Sequence, residues 1–187
     1  KVPNIGEVQT FLPYIPKTPT IESIFSHDHS WIATLLAENI RTIIATGDIM
    51  PARSVNAQVL KYKDFKWPYI KTADILRNAD ITFINLETPL LFDMCLSTQE
   101  GMIFCGDARN AEGLVFAGVD IASLANNHAG NYGAQGIEST VRLLSDNGIL
   151  TTGVNGLAIR DISGIKFGFL GYNDITKTQP GISNADE

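Results

Sequence analysis

The sequence is poor in the features that would place it quickly, and each shortage excludes something. Lys and Arg number 14 against 20 Asp and Glu, for a net charge of −6. Such a surface has no long-range attraction for polyphosphate or anionic lipid, which argues against nucleic-acid binding. No apolar run approaches the roughly 20 residues that span a bilayer. The opening Lys1-Val2-Pro3-Asn4 has neither the basic nor the apolar stretch of a signal peptide, so that segment was either never there or removed ahead of Lys1. No G-x-G-x-x-G follows a strand and no P-loop lysine is present, which leaves a nucleotide-binding reading without a phosphate cradle. Histidine is scarce, at 3 in 187 residues, and cysteine scarcer, at 2. What is present is an ordinary globular composition, 44% hydrophobic and 18% charged, long enough for one sizeable core.

Cys95 and Cys105 lie in a turn-rich stretch, with no C-x-x-C pattern and no nearby His to suggest zinc. A disulfide between them would restrict the unfolded chain by roughly 2–3 kcal/mol. The alternative is two free buried thiols. Pairing is the expectation, and it implies a compartment outside the reducing cytosol.

The first 38 residues read as an extended, proline-rich arm and a short helix. His27-Asp28-His29 has the look of a metal cluster, but neighbouring side chains point apart and Asp28 is a good N-cap, so capping is expected. From residue 39 to 172 the pattern is alternating α/β. Ile40–Thr46 reads as a buried strand, 67–76 as a helix with Pro68 in its first turn, and Asp80–Asn85 as a second strand. Asp107 is expected to cap a helix ending at Gly118, followed by a strand over 119–125 and a helix over 133–147. A short strand at 150–152 precedes a hairpin with arms 157–162 and 165–170, turning at Ser163-Gly164. The tail, 173–187, has no apolar stripe and is expected to fray.

Three successive strands end in polar groups: Asp48, then Asn85 with Glu87, then Asn126, Asn127 and His128. In an open α/β sheet the carboxyl ends of parallel strands line one crevice, so residues about 40 positions apart can converge. Two carboxylates, carboxamide oxygens and an imidazole suit a divalent ion such as Mn²⁺, Mg²⁺, Fe²⁺ or Zn²⁺. The bland alternative is that Asn85 and Asn126 satisfy loop backbone groups and Gly47-Asp48 is a turn. Arg53 is placed to clamp an anion with Ser54 beside it, or else simply begins a surface helix. Tyr132, in the glycine-bordered loop after His128, either meets a ligand or packs.

Gly47-Asp48-Ile49-Met50-Pro51-Ala52-Arg53, Asn85-Leu86-Glu87-Thr88-Pro89-Leu90 and Ser123-Leu124-Ala125-Asn126-Asn127-His128 together resemble the N-terminal motifs of the CapA (PgsA) capsule-synthesis family, associated with poly-γ-glutamate. That family is similar to calcineurin-like metallophosphoesterases. The resemblance implies the N-terminal part of an α-β-β-α sandwich, with a mostly parallel sheet and a terminal hairpin. It also implies that Asp48, Asn85, Glu87 and Asn127 are metal ligands, and that His128 contacts the scissile group with Asp48 in the catalytic set. Arg53, Ser54, Asn126 and Tyr132 would then face the substrate. Met50 stands where the wider superfamily has a metal-binding His. The later Gly-His-His-Pro-His and Ser-Leu-Gly-Asn segments of the family are not in this sequence, so it reads as an N-terminal portion.

Two functions follow as expectations. One is a metal-dependent phosphatase or hydrolase-type domain acting on an anionic polymer or its phosphorylated precursor, weak or inactive at this length. The other is a non-catalytic extracellular or cell-surface module that binds the polymer or a membrane synthase. A sheet ending at the hairpin would leave an open edge, so either a homodimer through that edge or an N-terminal arm covering it is also expected.

Overall fold

The computed structural model describes residues 22, 26–27, 40–95, 101–154, 156–175 and 181–185. The expected N-terminal arm and its helix, with Asp28 and His29, lie outside the described residues. Residues 41–187 form one compact unit and residues 1–40 another.

The larger unit is built on a four-stranded parallel sheet of β1 (Ile43–Ile49), β2 (Ile81–Leu86), β5 (Ile121–Ser123) and β6 (Leu150–Thr152), in the order β1-β2-β5-β6. Each crossover between these strands carries helix, as parallel pairing requires. Helix α1 (Arg53–Tyr62), a 3₁₀ turn (Trp67–Tyr69) and α2 (Ala73–Arg77) lie between β1 and β2. Helix α3 (Asn110–Ala117) precedes β5, and α4 (Gly133–Asp146) precedes β6. Two short strands, β3 (Leu90–Leu91) and β4 (Gly106–Asp107), pair in parallel as a small separate sheet. A hairpin of β7 (Ala158–Ile162) and β8 (Ile165–Phe169) completes the unit, turning where Ser163 and Gly164 both have positive φ.

Period-two alternation divides the sheet's side chains between two cores. Ile84 and Leu86 of β2, with Ala122 of β5 and Leu124 just beyond it, join Leu114, Leu144 and Ile149 in the larger cluster. Ile81, Phe83 and Ile121, one position out of phase, meet Ala158, Phe167 and Phe169 of the hairpin. Phe83 stacks on Phe169 with centroids 5.5 Å apart, and Arg160 bonds Asp120 at 3.0 Å, tying the hairpin to the start of β5. The architecture is therefore the expected α/β arrangement with a mostly parallel sheet and an antiparallel hairpin.

Several local expectations need correction. The strand at Ile40–Thr46 was expected to be buried, but among the described residues β1 is a sheet edge flanked by β2 alone, and Ile43 is 44% exposed. Arg53 does begin a surface helix, the alternative reading for that residue; the ten residues of α1 bury only Asn56 and Val59, too thin a stripe to read its length from sequence. The single helix over 67–76 is a 3₁₀ turn followed by a separate five-residue helix. Asp107 does not occupy the N-cap of α3, which is Arg109; its carboxylate instead accepts from the Arg109 N–H and guanidinium. The described part of the tail is held rather than frayed. Ile182 is buried in the larger core, Asn173 N–H donates to Ser183 O at 2.9 Å, and Ser183 N–H donates to Gly153 O at 2.8 Å.

Candidate functional site

Parallel register brings the strand ends together. Asp48 lies opposite Asn85 across β1–β2, after a shift between Ala45 and Asp48 that inserts an extra residue and turns the end of β1. Asn85 in turn lies opposite Ser123 across β2–β5. These pairings set the carboxyl ends of three strands side by side, with Asn126, Asn127 and His128 in the loop that leaves β5.

The side chains are joined by carboxamides. The Asn85 Nδ2 group donates to Asp48 Oδ1 at 2.8 Å and to Glu87 Oε2 at 2.6 Å, so one neutral amide holds both carboxylates. Asn126 Nδ2 donates to Asn85 Oδ1 at 3.0 Å and to the Leu86 carbonyl at 2.9 Å. Its Oδ1 accepts from the backbone N–H groups of His128 at 3.0 Å and Ala129 at 2.7 Å. Both donors and both lone pairs of Asn126 are thus engaged. At 4% exposed, it works as an internal staple between β2 and the His128 loop, with nothing left to offer a substrate.

Glu87 is half-buried and has its pKa raised, by burial first and next by the charge of Asp48; the amide of Asn85 and the charge of His128 act the other way. Two carboxylates crowded in this manner favour either a proton or a cation between them. Paired carboxylates are the donors that hard divalent cations prefer. Among the described residues no three His, Cys, Asp or Glu side chains gather into a metal-holding group, and the Asn85 and Asn126 oxygens are already accepting hydrogen bonds, so coordination would need donors beyond Asp48 and Glu87.

On the other flank, His128 is buried and its ring lies 4.0 Å, centroid to centroid, from Phe104. The guanidinium of Arg53 lies 5.8 Å from the same Phe104 ring, which places Arg53 on this side of the molecule. Arg53 and Ser54 are both exposed at the start of α1. Arg53 adopts φ +51°, a left-handed conformation unusual for a non-glycine residue. Asn127 is half-buried beside Asn126. Tyr132 stands at the N-terminus of α4 and lines a groove of about 210 Å³ with Leu91, Phe92, Met94 and Ser139. None of the strand-end residues lines that groove. Cys95 and Cys105 form a disulfide.

Two residues at the site escaped the sequence reading. Asn131 and Phe104 contact His128 directly, and only the three-residue spacing from His128 to Asn131 hinted at the first.

Residues 42–187 match the family model described as bacterial capsule synthesis protein PGA_cap. A probable polyglutamine synthesis accessory protein of Mycobacterium tuberculosis is 31% identical over 111 residues, covering 58% of this chain and 29% of that protein. The capsule biosynthesis protein CapA of Bacillus anthracis is 26% identical over 158 residues, covering 75% of this chain and 38% of that protein. An uncharacterised protein of Sinorhizobium fredii is 30% identical over 120 residues, covering 60% and 24% respectively. The matches thus take in well under half the length of these relatives.

Proposed function

The chain belongs to the bacterial capsule synthesis protein PGA_cap family, and from that premise we propose that it serves capsule or polyglutamate biosynthesis through a divalent-cation site at its strand ends. The observation that carries the reading is the convergence of Asp48 and Glu87 on one Asn85 amide, with the pKa of Glu87 raised by burial and by its neighbour's charge. Asp48, Glu87 and Asn127 are the residues that would hold the ion, while Asn85, expected as a further ligand, turns its NH₂ to both carboxylates and its Oδ1 to Asn126. When bound, a divalent ion polarises a phosphoryl or carbonyl oxygen and lowers the pKa of water. Arg53, exposed at the same flank as His128, is suited to grip a carboxylate or phosphate of an anionic polymer or its phosphorylated precursor. His128 is the group able to move a proton beside it.

A second reading, a polymer-binding module without catalysis, draws on a specific observation. Asn85 already bridges the two carboxylates, which satisfies them without an ion. Both readings place the protein outside the cytosol, in keeping with the disulfide. Calorimetric titration of Mn²⁺, Mg²⁺ and Zn²⁺ separates them, repeated on Glu87→Gln and followed by a phosphatase assay on this chain and on a C-terminally longer version. Saturable binding that Glu87→Gln abolishes is the expected result. No binding by either length would sink the first reading and leave the second.

A further inference from the structure

The hydrogen bonds around His128 go further than its presence at the site. Its Nδ1 lies 3.2 Å from Asn131 Oδ1. An asparagine amide can in principle sit either way round, with oxygen or nitrogen toward the ring. Here the choice is made by the backbone N–H of Phe104, which donates to the same Oδ1 at 2.7 Å. Turning the amide over would set the Asn131 NH₂ against that N–H, donor to donor. Phe104 is itself anchored, since the next residue is the disulfide-bonded Cys105 and Gly106 N–H donates to Pro89 O at 2.9 Å. An amide oxygen only accepts, so the ring nitrogen facing it must carry the hydrogen.

We propose that Asn131 is a positioning residue that holds neutral His128 as the Nδ1–H tautomer, leaving the Nε2 lone pair for chemistry. The inference rests on the reading that His128 belongs to the working site, but the tautomer itself does not depend on activity. The consequence for that site is definite. Neutral His128 can take a proton at Nε2 or ligate a metal there, and it can give a proton to a leaving oxygen only as the imidazolium. In the imidazolium Nδ1–H still meets Asn131, so the ring keeps its place through a proton-transfer cycle.

The test is a long-range ¹H–¹⁵N correlation spectrum of the imidazoles, taken on the whole chain in chelator at about pH 9, above the ordinary histidine range near 6.5. There are only three histidines, and His128→Gln identifies the His128 signals by their loss. The expected His128 pattern is a protonated-type Nδ1 and a lone-pair-type Nε2. Asn131→Asp, which keeps an acceptor, should preserve it. Asn131→Ala should shift it toward the Nε2–H form that unconstrained imidazoles prefer. A wild-type spectrum in which Nε2 carries the hydrogen would overturn the proposal without any variant, and so would an Asn131→Ala pattern identical to wild type. Failure of metal binding in the calorimetric experiment would leave this result standing, so the two readings fail separately.

Discussion

Replacing Asn126 with alanine is the sharpest perturbation of the arrangement. The carboxamide makes four hydrogen bonds, to Asn85 Oδ1, Leu86 O, His128 N and Ala129 N, at 3.0, 2.9, 3.0 and 2.7 Å. At about 1 kcal/mol net apiece these amount to about 4 kcal/mol. Leu86 and Ala129 are buried, so their exposed-by-mutation backbone groups each add to the cost unless water enters the vacated space. A loss of about 3–5 kcal/mol follows. With a urea m-value of about 2 kcal/mol per molar, the unfolding midpoint should fall by about 1.5–2.5 M. Asn126→Asp keeps the acceptor for His128 N and Ala129 N, but it sets an oxygen against Asn85 Oδ1 and Leu86 O, so it should be no better than alanine. Ser54→Ala, on an exposed helix position, serves as the control and should stay within about 0.5 kcal/mol. Equilibrium urea unfolding followed by tryptophan fluorescence reads all three. A midpoint shift below about 0.5 M for Asn126→Ala would refute the staple and, with it, the account of how β2 and the His128 loop are joined.

Burial and then the charge of Asp48 raise the Glu87 pKa, so the folded state binds that proton more tightly than the unfolded chain. The group favours folding below the ordinary carboxylate range, and that contribution is lost as pH rises through the folded pKa. Glu87→Gln should therefore melt higher than wild type at pH 7 in chelator, with the gap closing toward about pH 4; a pH-independent gap would refute the crowding. Arg53 holds φ +51°, so Arg53→Gly should be more stable than Arg53→Ala by about 1 kcal/mol in thermal unfolding, although both lose the guanidinium. Equal stabilities would show that the left-handed conformation carries no strain. Changing both Cys95 and Cys105 to Ser should cost about 2–3 kcal/mol, with unfolding midpoints of reduced wild type and variant coinciding.

How much of this was legible beforehand depended on whether the determinant was local. Strands β2 and β5 announced themselves through apolar runs ending in polar groups, and the Ser163-Gly164 turn through the need for two positive φ values. The exposure of β1 was not legible, because Ile43 and Ile44 have the same chemistry at a sheet edge as in its middle. Strand order, a non-local property, decides which they occupy. Ile182 is a similar case: Ile175 and Ile182 in an otherwise polar tail make no pattern that tells which is buried, yet the Ser183–Gly153 hydrogen bond sets Ile182 in the core while Ile175 stays exposed.

The same distinction runs through the site. That Asp48, Asn85 and the Asn126–His128 segment sit at strand ends follows from composition and spacing. Which asparagine does what does not, because a carboxamide takes its role from whatever surrounds it. Asn85 spans two carboxylates, Asn126 is saturated by backbone and by Asn85, and Asn131 takes its orientation from a backbone N–H on a disulfide-anchored loop. This wiring bears on the cation as well. Hydrogen bonds to charged groups contribute about 1.5–3 kcal/mol each, so an ion that displaces the Asn85 amide from both carboxylates must first overcome about 3–6 kcal/mol. The cluster is thus self-satisfied without metal, and a cation should bind this length of chain more weakly than its two carboxylates alone would suggest. Removing the bridge with Asn85→Ala would leave those carboxylates without their shared donor while keeping both charges, which should raise cation affinity even as it lowers the stability of the metal-free fold.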